Sequence, residues 1–220
     1  MPHPAALQFD NVSKLYRSFF RSDSVRALNG FSLRVEQGEI FGFLGPNGAG
    51  KTTAIHIALG FMFPSSGTGE ILGHSFGHAR TRRRVGFLPE NVAVYHRPAA
   101  KLVKFYGALN GLHGAGLRKR TAELLQRFDL QNVGNRNVGG FSRGMLQRIG
   151  LVQALVNDPE LIILDEPTSA LDPLARIAVR EILLEARKAG KTVFLSSHLL
   201  SEVEQICDRI GIVVKGRVAQ

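Results

Sequence analysis

The residues Gly45-Pro46-Asn47-Gly48-Ala49-Gly50-Lys51-Thr52 match the spacing G-x-x-x-x-G-K-[ST]. The glycines let the backbone curl so that successive N–H groups point inward, at phosphate oxygens. The helix that follows starts at the anion and offers its unpaired N–H groups. Lys51 brings a cation to the β- and γ-phosphates, and Thr52 brings a hydroxyl oxygen suited to Mg²⁺. The plain alternative is a glycine turn with an incidental lysine. The context argues against it, because an apolar strand precedes the loop and a helix follows.

Phosphate transfer needs a metal anchor and a group that activates water. Leu161-Ile162-Ile163-Leu164-Asp165-Glu166 is an apolar strand that ends in two carboxylates. In an open parallel sheet ligands sit at the carboxyl ends of strands, so this pair is expected beside the glycine loop. Asp165 is expected to hold Mg²⁺ through water, and Glu166 to act as general base or to polarise the attacking water. A second helix start, Phe141-Ser142-Arg143-Gly144-Met145, has Ser142 as a natural N-cap and Gly144 permitting close backbone approach. It looks like a second phosphate-facing terminus, but on its own an ordinary capped helix is the favoured reading, and only its surroundings raise the signal.

The elements that must position these residues follow from periodicity. Residues 7–12 and 31–35 alternate apolar and polar, as half-buried strands do. Residues 40–44 form a continuous apolar run, suited to a strand covered on both faces. A helix is predicted over 51–61 and a short β segment over 69–73. From 98 to 157 the pattern turns helical, with segments at 100–112, 118–128 and 142–156, and reads as an insertion in an α/β domain. The α/β rhythm then returns: a strand at 161–164, a helix at 173–189, a strand at 192–195, a short helix at 199–207 and a hairpin turning at Lys215-Gly216. One domain over 1–220 is expected, and an end in mid-strand at Gln220 suggests a truncated chain or a missing tail.

Composition narrows the class. With 44% hydrophobic and 21% charged residues over 220 positions, the chain is globular rather than disordered or collagen-like. Cys207 is the only cysteine, which excludes a disulfide scaffold and agrees with a reducing compartment. The longest apolar candidate, 54–63, is broken by His56 and Gly60 and falls short of the ~20 residues that span a bilayer. The first ten residues lack a secretory signal pattern. A soluble, cytoplasmic chain is therefore expected. The net charge of +10, with clusters at Arg80, Arg82, Arg83, Arg84 and at Arg118-Lys119-Arg120, fits nucleic acid, anionic lipid, a phosphate ligand or simply solvated faces.

Taken together, these residues resemble the nucleotide-binding domain of an ATP-binding cassette (ABC) transporter, over nearly the whole chain from Leu7 on. Residues 45–52 are similar to the Walker A loop, 161–166 to Walker B with its catalytic glutamate, and 141–145 stand where the L-S-G-G-Q signature stands. Ser169-Ala170-Leu171-Asp172 resembles the D-loop, His198 the switch histidine, and Tyr16 the aromatic that stacks on adenine. The resemblance implies a P-loop NTPase core with a mainly parallel sheet, an N-terminal antiparallel β subdomain and an inserted α-helical subdomain. It implies ATP and Mg²⁺ as ligands, with Tyr16, Asn47, Gly48, Ala49, Gly50, Lys51, Thr52, Thr53, Ser142 and Gly144 on the nucleotide. Thr52, Glu90 and Asp165 would serve the metal, and Glu166 and His198 the chemistry. It further implies a head-to-tail dimer, in which Ser142 and Gly144 serve the nucleotide on the partner's loop. A separate integral membrane subunit would place the chain on the cytoplasmic face of the membrane, and would dock on the Glu90 loop and the helical region. Alternatives stand beside three positions: Phe19 or Phe20 as the stacking ring, a buried structural role for His198, and helix capping for Asp172.

Two departures matter. Leu88-Pro89-Glu90 puts a carboxylate where the family usually has Gln, adding negative charge near the γ-phosphate, and the signature carries Arg143 and Met145 for Gly and Gln. Both are similar to exporter subfamilies that handle drugs, antibiotics, polysaccharides and metals. A nucleic-acid-associated ATPase of the same fold is the competing class, favoured by the charge. The single cassette and the lack of an aromatic-basic stacking platform oppose it, and argue against a nucleic-acid partner. A third class, a regulator with weak hydrolysis, is opposed by the presence of Glu166 and His198.

Overall fold

Two kinds of strand pattern give two kinds of sheet. The computed structural model describes residues 4–17 and 24–219. In chain order the elements are β1 (Ala5–Arg17), β2 (Ser24–Glu36), β3 (Ile40–Leu44), α1 (Lys51–Ala58), β4 (Ser66–Ile71), β5 (His74–Ser75), β6 (Val85–Leu88), α2 (Ala99–Leu109), α3 (Gly114–Arg127), α4 (Arg143–Leu155), β7 (Leu161–Asp165), α5 (Pro173–Lys188), β8 (Thr192–Ser197), α6 (Leu200–Val203), β9 (Arg209–Val214) and β10 (Arg217–Ala219). The alternating strands make an antiparallel sheet in the order β2-β1-β4-β5. The continuous apolar strands sit inside a second sheet, β10-β9-β3-β8-β7-β6, parallel except for the terminal β9-β10 hairpin.

Side chains alternate across the second sheet, as a strand period of two requires. Phe41, Phe43, Leu161, Ile163 and Phe194 enter one core, with α1 and the antiparallel sheet. Ile40, Ile162, Leu164, Val193 and Leu195 enter the other, with α2, α3, α4 and α5. A run of rings ties the two sheets: Phe9 on Phe31 at 5.1 Å, Phe31 on Phe43 at 5.7 Å, and Phe43 on Phe194 at 5.3 Å between centroids. Each such ring, fully buried, stabilises by about 1.5–3 kcal/mol. Gly42 faces the second core, where an added Cβ would stand 2.9 Å from Cys207 Sγ and 3.2 Å from Val203 Cβ. Its missing side chain lets α6 lie against β3.

Several elements differ from their predicted bounds, for physical reasons. β1 and β2 run well beyond 7–12 and 31–35, through register shifts around Asn11, which takes a φ of 52°. Such bulges break the alternation by which a strand is recognised. The first helix stops at Ala58, short of 61. Gly60 adopts φ 75°, its N–H reaches Ile57 O at 3.0 Å, and the Phe61 N–H reaches His56 O at 2.9 Å. That is a Schellman closure, and it ends a helix whose apolar pattern continues. The β segment predicted at 69–73 is a hairpin, β4 and β5, turning at Leu72 and Gly73, both at positive φ. The helix predicted over 199–207 is helical only at 200–203, after which the Asp208 N–H bonds to Ile40 O and draws the chain into the sheet.

The basic clusters are partly neutralised within the chain. Arg84 pairs with Glu160 at 2.7 Å, and this guanidinium holds the Glu160 carboxyl below its usual range. Arg120 lies 3.9 Å from Asp158, and Lys119 lies 3.9 Å from Glu123. Among the described residues no helix is long and apolar enough to cross a membrane.

Candidate functional site

The strand order β3-β8-β7 sets three carboxyl-terminal ends side by side: the loop after β3, Ser197 and His198 at the end of β8, and Asp165 and Glu166 at the end of β7. Gly45 N–H donates to Ser197 O at 3.2 Å, which pins the loop to its neighbour. Within the loop Gly48 and Gly50 take φ of 79° and 108°. A Cβ at Gly50 would also stand 2.5 Å from Ala27 O, so β2 closes against the curled backbone only because that residue is glycine. α1 begins directly after it, and its first residue is Lys51.

Lys51 is 6% exposed. Its ammonium donates to Gly45 O at 2.6 Å and to Pro46 O at 3.4 Å, and stands 3.5 Å from Glu166 Oε1. That oxygen is buried and has no hydrogen-bond partner. The other oxygen, Oε2, is 2.9 Å from His198 Nδ1. Asp165 accepts from Thr52 Oγ1 at 2.8 Å on one oxygen and from Ser196 Oγ on the other. The structure therefore brings Lys51, Thr52, Asp165, Glu166 and His198 together. His198 has 41% of its side chain exposed, so it is not a buried core histidine.

A cavity of about 450 Å³ opens over these groups, lined by residues 46–53 together with Tyr16, Val25, Ala27, Glu90, Asp165 and Glu166. Asn47, Gly48, Ala49, Gly50 and Thr53 all reach it. Tyr16 stands at its rim, 41% exposed, with its hydroxyl 3.5 Å from Thr53 Oγ1 and donating to Met62 Sδ at 3.2 Å. Phe19 and Phe20 lie outside the described residues. Glu90, on the loop after β6, gives the cavity a third carboxylate.

Ser142 and Gly144 do not line this cavity. Ser142 Oγ caps α4 by accepting from Met145 N–H at 3.3 Å, and a Cβ on Gly144 would stand 3.3 Å from Ala170 O. Asp172 caps α5, accepting from Ala175 N–H at 2.9 Å ahead of Pro173.

Two residues of the site were not singled out in the sequence. Ser196 Oγ donates to Asp165 and accepts from Glu166 N–H at 3.1 Å. Gln147, 3% exposed on α4, donates to Glu166 O at 3.2 Å and to Pro167 O at 3.0 Å. The available signals were a serine pair ending a buried strand and a glutamine on the buried face of a helix.

A family model described as "ABC transporter" matches residues 28–169. An uncharacterized ABC transporter ATP-binding protein of Synechocystis sp. is 45% identical over 94% of this chain and 60% of its own length. The bacitracin transport ATP-binding protein of Bacillus licheniformis is 40% identical over 96% of this chain and 67% of its own. A Nod factor export ATP-binding protein of Burkholderia orbicola is 38% identical over 97% and 69%. The chain thus spans 60% of the length of the Synechocystis relative, and 65% of a Nostoc counterpart. Among solved structures, a dimeric ATP-binding cassette in a post-hydrolysis state with ADP and Pi superposes with a TM-score of 0.90 and 26% identity, over 97% of each chain. The loop at the end of β3, the carboxylates at the end of β7 and these matches along nearly the full sequence lead to one conclusion: the chain belongs to the ABC transporter family.

Proposed function

We propose that the chain binds ATP with Mg²⁺ in the cavity over residues 45–53 and hydrolyses it, as the ATP-hydrolysing subunit of a membrane exporter. The observation that carries this reading is the buried Lys51-Glu166 pair, with no hydrogen bond on Glu166 Oε1 and the ammonium resting on loop carbonyls. In the proposed complex that buried cation exchanges neutral carbonyls for charged phosphate oxygens, which bind it more strongly. The donor set also fits a hard cation: Thr52 Oγ1, Asp165 and Glu90 offer oxygen only. These three would hold Mg²⁺, which supplies charge neutralisation on the phosphates.

The remaining work falls to this chain's own groups. The loop N–H groups and Lys51 bind and orient the phosphates, and Tyr16 stacks on the base. Glu166 Oε1, the oxygen without a hydrogen bond, accepts the proton of the attacking water, while His198 Nδ1 holds Oε2 and so aims the carboxylate. Water oxygen bonds to the γ-phosphorus, the bond to the bridging oxygen breaks, and ADP and phosphate leave. The catalysis is chiefly positioning and charge stabilisation.

Ser142 and Gly144 sit outside the chain's own cavity, which supports a head-to-tail dimer in which they close the partner's site. The dimeric form of the superposed cassette supports the same reading. Arg143, Met145 and Glu90, together with relatives named for bacitracin transport and Nod factor export, support export through a separate membrane subunit. That subunit would hold the chain at the cytoplasmic face. The nucleic-acid reading finds no support in these relatives. Phosphate release with MgATP tests the reading. Glu166→Gln is expected to lower turnover by roughly 10²–10⁴-fold while nucleotide binding persists. Turnover at the wild-type rate in that variant contradicts it.

A further inference from the structure

Glu202 lies on α6, just beyond His198. Its side chain is 18% exposed, and its carboxylate gathers three donors from three different segments. Thr168 Oγ1 donates to Oε2, as does Ser197 Oγ at 3.5 Å, and Arg176 Nη1 donates to Oε1 at 2.8 Å. Arg176 in turn donates through Nε to Leu171 O at 3.0 Å.

Each of these segments carries a part of the site. Thr168 follows Glu166 by two residues, and Ser197 immediately precedes His198. Leu171 belongs to the 169–172 loop, whose Ala170 carbonyl lies against Gly144. Glu166 and His198 meet at 2.9 Å although they come from separate strands, so their distance is only as fixed as the join between those strands. Ser196 makes one such join, at the Glu166 N–H. Glu202 makes a second, further along both segments. A cavity of about 290 Å³ opens on this side, lined by Thr168, Arg176, Ser197, Glu202, Gln205 and Ile206 among others. Beside it the Glu202 hydrogen bonds add to the strand pairing and core packing that hold the two segments.

We propose that Glu202 is a positioning residue: it fixes the Glu166-His198 pair through Thr168 and Ser197, and ties that pair through Arg176 to the 169–172 loop. This rests on the hydrolytic reading above. The Arg176 side chain is 41% exposed, so its ion pair adds little to folding stability. The effect belongs in the rate of the chemical step, where small misplacements are amplified.

The test uses the full chain with MgATP and measures kcat, KM, equilibrium binding of a fluorescent ATP analogue, and Tm. Glu202→Ala and Thr168→Val are expected to lose about 10–100-fold in kcat, with analogue binding and Tm close to wild type. Thr168→Ser, which keeps the hydroxyl, is expected to retain kcat. Wild-type kcat in Thr168→Val overturns the proposal, and so does an equal loss in Thr168→Ser. If Glu202→Ala does not fold, the Thr168 pair alone decides. Glu166→Gln in the same assay separates the two levels of failure. An inactive Glu166→Gln beside a fully active Thr168→Val removes only the role of Glu202, whereas a fully active Glu166→Gln removes the hydrolytic reading and this one with it.

Discussion

Glu166 holds a φ of 51°, in the left-handed region that a glutamate rarely adopts. Such a conformation costs about 1–3 kcal/mol and persists only where its surroundings over-determine it. Here they do. The N–H is held by Ser196 O at 3.2 Å and by Ser196 Oγ at 3.1 Å, and the carbonyl accepts from Gln147. The strain turns the carboxylate toward Lys51 and His198 instead of along the strand. Tyr16 offers a second residue-level test. Its ring is 41% exposed at the cavity rim, with its hydroxyl tethered to Met62 Sδ and the Lys14 ammonium 5.5 Å from the ring centroid. Stacking of a base on an aromatic ring is worth about 1–3 kcal/mol. Tyr16→Ala is therefore expected to weaken ATP binding by roughly 5–150-fold. Equilibrium titration with a fluorescent ATP analogue checks this, and unchanged affinity returns the stacking role to another residue.

The elements converge because close approaches are built into them. A Cβ on Gly86 of β6 would stand 2.0 Å from Ala154 O and 2.9 Å from Pro159 Cγ, which leaves no room between that strand and α4. Gly86→Ala is expected to destabilise by about 1–3 kcal/mol through overpacking, seen as a lower Tm. An unchanged Tm would mean that α4 yields. The cap of α5 makes a milder prediction: Asp172→Ala removes one hydrogen bond to Ala175 N–H and is expected to cost about 1 kcal/mol, read from the midpoint of denaturant unfolding. Legibility in the sequence follows the same division. β3, β7 and β8 were readable as continuous apolar runs, and with them the strand ends that carry residues 45–52, Asp165 and His198. The end of α1 was not, because Gly60 closes it through backbone geometry while the apolar pattern runs on to Phe61. Ser196, Gln147 and Glu202 escaped for a different reason. Each acts through a hydrogen bond to a residue distant in the chain, and no local period or spacing reports such a bond.

At the scale of the whole molecule, the proposed function makes each chain one half of a site that a second copy completes. The cavity supplies amides, a buried cation and carboxylates, while the capped start of α4 at Ser142 lies outside its lining. A triphosphate seated on Lys51 would carry charge beyond this chain's own donors, and in the proposed head-to-tail pair a second copy would bring its Ser142-Gly144 turn to meet it. In that proposed pair ATP would be a shared ligand, held more tightly by two chains than by one, so it would stabilise the closed form by mass action. On the proposed reading, hydrolysis would remove the shared γ-phosphate and release the pair, giving a membrane subunit two states to follow. The most direct test is the solution mass of Glu166→Gln by light scattering, with saturating MgATP and again with ADP. The account predicts a doubled mass with ATP, and the single-chain mass with ADP. A single-chain mass in ATP, with one nucleotide demonstrably bound per chain, contradicts it.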